Sequence, residues 1–110
     1  MTYQEIASFI ENMGFPCAYH QFLNGTAEPP PFICWFFPGI DDLYADNSNY
    51  QRIVRLIIEF YSDEKDFAGE ATIEATLKEG GFSYTKDEDY IDSERLHETV
   101  YEMEVIINGS

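Results

Sequence analysis

Tyr50-Gln51-Arg52-Ile53-Val54-Arg55-Leu56-Ile57-Ile58-Glu59-Phe60-Tyr61 is the stretch on which the fold turns. Val54, Leu56, Ile58 and Phe60 recur at every second position, while Ile53, Arg55, Ile57, Glu59 and Tyr61 fill the alternate ones. A period of two belongs to a β-strand, whose successive side chains point to opposite faces. One face of this strand is therefore wholly apolar and the other mixed. Its length suits the centre of a sheet and not an edge.

Asp63 and Asp66 lie just beyond it, and carboxylates of this kind cap helix N-termini. The spacing predicts a helix running to about residue 79, with Phe67, Ala71, Ile73 and Leu77 inward and Glu70, Glu74 and Lys78 outward. Gly80-Gly81 supplies the stop. Residues 82–86 then read as a short strand, 87–95 as an acidic loop, and 97–107 as a last strand. In that last strand Thr99, Tyr101, Met103, Val105 and Ile107 alternate with Glu98, Glu102 and Glu104. One of its faces is buried and the other is wet.

On the N-terminal side, Thr2 with Glu5 forms a capping box, followed by Ile6, Phe9, Ile10 and Met13 at helical spacing. A helix over 3–13 ends at Gly14 and Pro16. Aromatic-rich runs at 16–22 and 32–37 suggest two strands, joined by an insert carrying Asn24-Gly25 and Pro29-Pro30-Pro31 that is too long for a tight hairpin. A second loop spans 38–49. The expected fold is α+β: an antiparallel sheet of about five strands packed by two helices, in the order α-β-β-β-α-β-β. Residues 1–108 form one domain and 109–110 a short tail.

Composition agrees with one domain. The chain has 110 residues, 45% hydrophobic and 16% aromatic, which is ample for one core. Its 21 acidic residues against six basic ones give a net charge of −15, well beyond the magnitude of about 2–8 that suffices for solubility. Residues 59–104 hold fifteen of the acids and four of the bases. Such a field repels phosphate backbones and anionic membranes and favours basic partners. Specific nucleic-acid binding is not expected. No apolar run approaches the roughly 18 residues that span a bilayer, because Arg52, Arg55 and Glu59 interrupt the longest candidate. No secretory apolar segment follows Met1, and Cys17 and Cys34 read as reduced thiols of a cytoplasmic protein.

Catalytic chemistry finds little support. His20 and His97 are the only histidines, no nucleophile signature surrounds either cysteine, and Cys17 with His20 falls short of a zinc set. The clusters Asp41-Asp42, Asp63-Glu64-Asp66 and Asp87-Glu88-Asp89 lack the spacing of a calcium loop and read as solvated loops and caps. No catalytic residue, metal or cofactor is expected.

Surface character points elsewhere. Trp35, Phe36 and Phe37 are consecutive, so alternation sends at least one aromatic to each face of the sheet. If Trp35 or Phe36 joins Ile53, Ile57 and Tyr61 on the second face, that face is either covered by further chain or serves as a subunit interface.

On these residues the chain resembles the small tail-completion or tail-terminator proteins of long-tailed bacteriophages and Gram-positive prophages, often labelled minor tail or minor capsid proteins. The similarity rests on the opening amphipathic helix and on Asp46-Asn47-Ser48-Asn49-Tyr50 leading into the long strand. It continues through Ile58-Glu59-Phe60-Tyr61-Ser62-Asp63-Glu64-Lys65-Asp66, Leu77-Lys78-Glu79-Gly80-Gly81-Phe82, Tyr84, Tyr90-Ile91, Glu94, Leu96 and Tyr101-Glu102. The resemblance implies a non-enzymatic protein that closes the tail tube and joins it to the head connector as a ring, typically hexameric. It implies assembly in the host cytoplasm and residence in the virion tail. Partners would be other copies of itself, tail-tube proteins and head-connector proteins. Asp41, Asp42, Asp46, Asn47, Asp87, Glu88 and Asp89 are the candidate partner-contacting loop residues. The competing expectation is an acidic DNA mimic that inhibits a host nucleic-acid-binding protein, for which Glu98, Glu102 and Glu104 would form a short row.

Overall fold

In the computed structural model, which describes residues 1–20, 29–39 and 52–108, the long alternating stretch forms β3 (Arg52–Ser62). It lies between β2 (Phe32–Phe36) and β5 (Leu96–Ile107), antiparallel to both. The ladder with β5 runs from Arg52 opposite Ile107 to Ser62 opposite His97. β4 (Tyr84–Ile91) pairs with the far side of β5, and β1 (Cys17–Tyr19) with the far side of β2. The spatial order is β1-β2-β3-β5-β4, with helices α1 (Tyr3–Glu11) and α2 (Phe67–Glu79). This is the α+β architecture and element order that the sequence predicts.

The sheet is mixed where a purely antiparallel one was expected. β1 runs parallel to β2, Cys17 opposite Ile33 and Tyr19 opposite Trp35. A parallel pair needs a connection of about a dozen residues, and twelve separate Tyr19 from Phe32. The long insert thus has its reason.

Both helices pack on one face. Ile6, Ile10 and Met13 of the α1 region and Ile73 and Leu77 of α2 join Ile33, Trp35, Leu56, Ile58, Phe60, Tyr101, Met103 and Val105 in one core. The Thr2 hydroxyl accepts from the Glu5 N–H and the Glu5 carboxylate accepts from the Thr2 N–H, completing the capping box. Asp66 caps α2 by accepting from the Gly69 N–H at 2.8 Å. Gly69 is required at that spot: a Cβ there would fall 2.6 Å from the Phe60 ring.

The inward face of α2 differs from the expected one. Phe67 is 74% exposed and Ala71 is also exposed, whereas Glu70 is buried. The helix is rotated so that Gly69, Glu70, Ile73 and Leu77 face the sheet. Two lysines make a buried carboxylate tolerable. Lys65 and Lys86 reach Glu70 at 2.8 and 3.0 Å, and the Thr99 hydroxyl donates to it at 3.2 Å. Lys86 also meets Glu74 at 2.7 Å, and the Tyr101 hydroxyl donates to Glu74 at 2.8 Å. This polar seam pins α2 across β5 and β4. Burial acts to raise the Glu70 pKa, but the hydrogen bonds and charges of Lys65 and Lys86 outweigh it and hold the carboxyl below its ordinary value.

A depressed carboxyl pKa stabilises the fold above the unfolded carboxyl range near 4.3, and that stability is lost as pH falls through the lower folded value. Glu70→Ala is therefore expected to cost about 2 kcal/mol at neutral pH, since both lysines keep some access to water. Urea unfolding at pH 7 and in acid checks this, with the difference between variant and wild type shrinking in acid.

Candidate functional site: the open face of the sheet

The β3–β5 ladder assigns every residue of both strands to a face. Opposite the core lie three rows that continue across three strands: Phe32, Tyr61 and Glu98; Cys34, Glu59 and Val100; Phe36, Ile57 and Glu102. Beyond them Arg55 faces Glu104, and Ile53 faces Ile106. Among the described residues no helix packs on this face, because the buried side chains of both helices belong to the core on the other side. Ile53 and Ile106 are 68% and 49% exposed side by side, an apolar pair in water.

Stacked rings organise the β1–β2 end. Phe32 stacks on Tyr61 with centroids 5.1 Å apart. His20 takes a left-handed backbone (φ 73°) at the end of β1 and donates its N–H to the Trp35 carbonyl at 2.7 Å. Its ring stacks on Phe36 at 5.0 Å. An aromatic and aliphatic strip therefore crosses β2 and β3 on the open side.

Carboxylates take over towards β4. Asp87 and Asp89 share the open face with Glu98, Glu102 and Glu104. Only Arg55 answers them among the described ion pairs, reaching Glu102 with its Nε at 2.8 Å. The open face is thus divided lengthwise into an apolar half and an acidic half.

Where the halves meet, the Tyr61 hydroxyl lies 3.0 Å from a Glu59 oxygen and 3.0 Å from a Glu98 oxygen. One phenol proton cannot satisfy two ionised carboxylates. Partial burial raises the Glu59 pKa, with Glu98 adding to the rise and the Tyr61 hydrogen bond opposing it. Burial and the same two carboxylates push the Tyr61 hydroxyl far up, so it stays a donor.

Four of the five residues expected at an interface are brought together here: Phe36, Ile53, Ile57 and Tyr61. Trp35 is not among them. It points into the core at 7% exposure, against Tyr19 at 4.8 Å and Phe37 at 5.8 Å, because it is paired with core-facing Ile58. Asp87, Glu88 and Asp89 are exposed as expected but belong to strand β4, not a loop. Pairing with β5 overrides their poor strand propensity. Glu88 faces the helix side, where Lys65 holds it at 2.7 Å. Asp41, Asp42, Asp46 and Asn47 lie outside the described residues.

Glu59 and Phe32 were missed as site residues, and Glu98 was read only as part of an acidic row. Alternation within each strand already separates their faces, but placing them side by side requires the cross-strand register. Among the described residues no group of three or more His, Cys, Asp or Glu side chains could hold a metal ion. A shallow recess lined by Arg55, Phe82, Tyr84, Glu102 and Glu104 is too open to enclose a substrate. No helix among the described residues is long and apolar enough to cross a membrane.

A carboxyl whose folded pKa is raised destabilises the fold once ionised, and stability returns as pH falls through the raised value. Glu59→Gln is therefore expected to melt above wild type at pH 7, with the gain vanishing in acid as Glu59 itself takes a proton. Calorimetry across that pH range tests this, and a variant less stable at pH 7 would refute the repulsion. The sequence matches no protein-family model and no curated protein, so the functional reading rests on this divided face.

Proposed function

We propose that this chain is a non-enzymatic structural protein of a phage or prophage tail, closing the tail tube and joining it to the head connector as a ring. The observation that carries the proposal is the apolar strip of Phe36, Ile57 and Ile53 on a sheet face that the described helices leave open. An apolar strip beside a charged field is a common form of protein interface.

Charge decides the symmetry of the contact. Two copies laid face to face about a two-fold axis would bring the acidic halves, with Asp87, Asp89, Glu98, Glu102 and Glu104, close to one another or into apolar surface. Either arrangement is costly. A head-to-tail contact that buries the apolar half against a different surface of the next copy avoids this, and repetition of such a contact closes a ring when the rotation allows. Acidic walls on that ring would keep a passing genome from adhering. The resemblance of the opening helix, the long strand and its capped helix to tail-terminator proteins supports the same reading.

One observation favours a second function. The acidic half sets Asp87 beside Asp89 on β4 and Glu102 beside Glu104 on β5 at ~6.8 Å spacing, with Glu98 a further ~13.6 Å along β5 because Val100 intervenes. Such rows are how a DNA mimic would present carboxylates to a basic nucleic-acid-binding protein. The mimic would bind in a strongly salt-dependent way, whereas apolar ring contacts tolerate salt.

Light scattering on eluting protein distinguishes them. The tail reading predicts a discrete oligomer that persists at high salt and is broken to single chains by Ile57→Glu. Ile53→Glu, at a site already 68% exposed and so without risk to the fold, is expected to weaken it as well. A single chain at every concentration and salt, with or without the substitutions, would count against a ring built on this face.

A further inference from the structure

Among the described residues β4 is the last strand of the sheet on its side, and every residue from Thr85 to Tyr90 is exposed. Among the described residues Tyr84–Ile91 pairs only with β5, so its other side is a sheet edge running along eight residues, on which the Tyr90 N–H donates to the neighbouring Asp89 carboxylate at 2.8 Å. At the other side of the described sheet, β1 is three residues long. An open edge of this length is a template for another strand.

Its side chains state which strand. On the open side the edge carries Asp87 and Asp89, backed by Glu98 and Glu102 on β5. On the helix side Lys86 is drawn inward to Glu70 and Glu74, and therefore neutralises none of the edge carboxylates on the open side. The same side holds Phe67, the most exposed large apolar residue described, at 74%. Lys65 links it to the edge: its ammonium sits 5.1 Å from the Phe67 ring centre and 2.7 Å from Glu88.

We infer that β4 accepts an extended segment of another protein, one that alternates basic and apolar residues, as a sixth strand of the sheet. Basic side chains would lie beside Asp87 and Asp89, and apolar ones on the helix side beside Phe67. The same carboxylates oppose pairing between two copies of this chain, since edge would meet edge with like charges. Charge complementarity thus selects a basic strand and rejects self-pairing. This edge is distinct from the Phe36–Ile57 strip, and its role does not depend on ring formation.

The probe is a synthetic eight-residue peptide alternating lysine and valine, with a glutamate–valine peptide as control, and the readout is amide hydrogen exchange along the full chain. The lysine peptide is expected to slow exchange in residues 84–91 several-fold at low salt, and the glutamate peptide to leave it unchanged. Asp87→Lys combined with Asp89→Lys, both exposed, is expected to weaken binding roughly tenfold, and Phe67→Ala roughly threefold. Ile57→Glu should leave the effect intact, which separates this test from that of the ring. Absence of binding, binding without protection of β4, equal protection by the glutamate peptide, or unchanged binding by the edge variants would each overturn the inference.

Discussion

Everything in this molecule depends on the pairing of β3 with β5. That ladder, from Arg52 opposite Ile107 to Ser62 opposite His97, sets which residues are core and which are surface. A shift of one residue would exchange the two faces, moving Leu56, Ile58 and Phe60 into water and Arg55 and Glu59 under the helices. Burying two charges without partners costs several kcal/mol, and three large apolar groups would leave the core at the same time. The register is therefore strongly specified, and with it the opposition of Tyr61 to Glu98 and of Ile57 to Glu102.

The two faces are made differently. The helix face is closed by apolar packing over α1 and by a mixture of packing and ion pairs over α2, where Glu70 and Glu74 are tied to Lys65 and Lys86. Such a seam adds less to stability than apolar contacts of the same area would, but it admits few alternative alignments of the helix. The open face has no such closure among the described residues. Its apolar and acidic halves meet at Tyr61, whose single proton stands between Glu59 and Glu98. A partner covering that junction would bury carboxylates already short of donors, so it must bring a donor or a proton with it.

Much of this was legible in the residues. β3 and β5 declared themselves through strict alternation, and α1 and α2 through Thr2 with Glu5 and through Asp66, because local hydrogen bonding decides a cap. β4 was not legible. Its run Thr85-Lys86-Asp87-Glu88-Asp89 has neither apolar alternation nor strand propensity, and it is a strand because β5 offers it an edge. Glu70 was read as outward since an isolated carboxylate belongs in water; only the fold brings Lys65 and Lys86 to it. Trp35 was ambiguous for a different reason. In an unbroken run of apolar residues the period of two leaves the phase open, and the pairing of Trp35 with Ile58 settles it. Of the site, the membership of Ile53, Ile57 and Tyr61 on one face followed from alternation, while the proximity of Glu59, Tyr61 and Glu98 required the register.

The central claim is that the open face is an interface, and its isoleucines report on it directly. With isoleucine methyl groups labelled and a soluble paramagnetic compound added, Ile53, Ile57 and Ile106 should be strongly broadened in dilute protein. At assembling concentrations Ile53 and Ile57 should become shielded, while core Ile6, Ile58 and Ile73 stay shielded throughout. Ile53 and Ile57 methyls that remain as accessible in the assembled protein as in the dilute one would contradict the account.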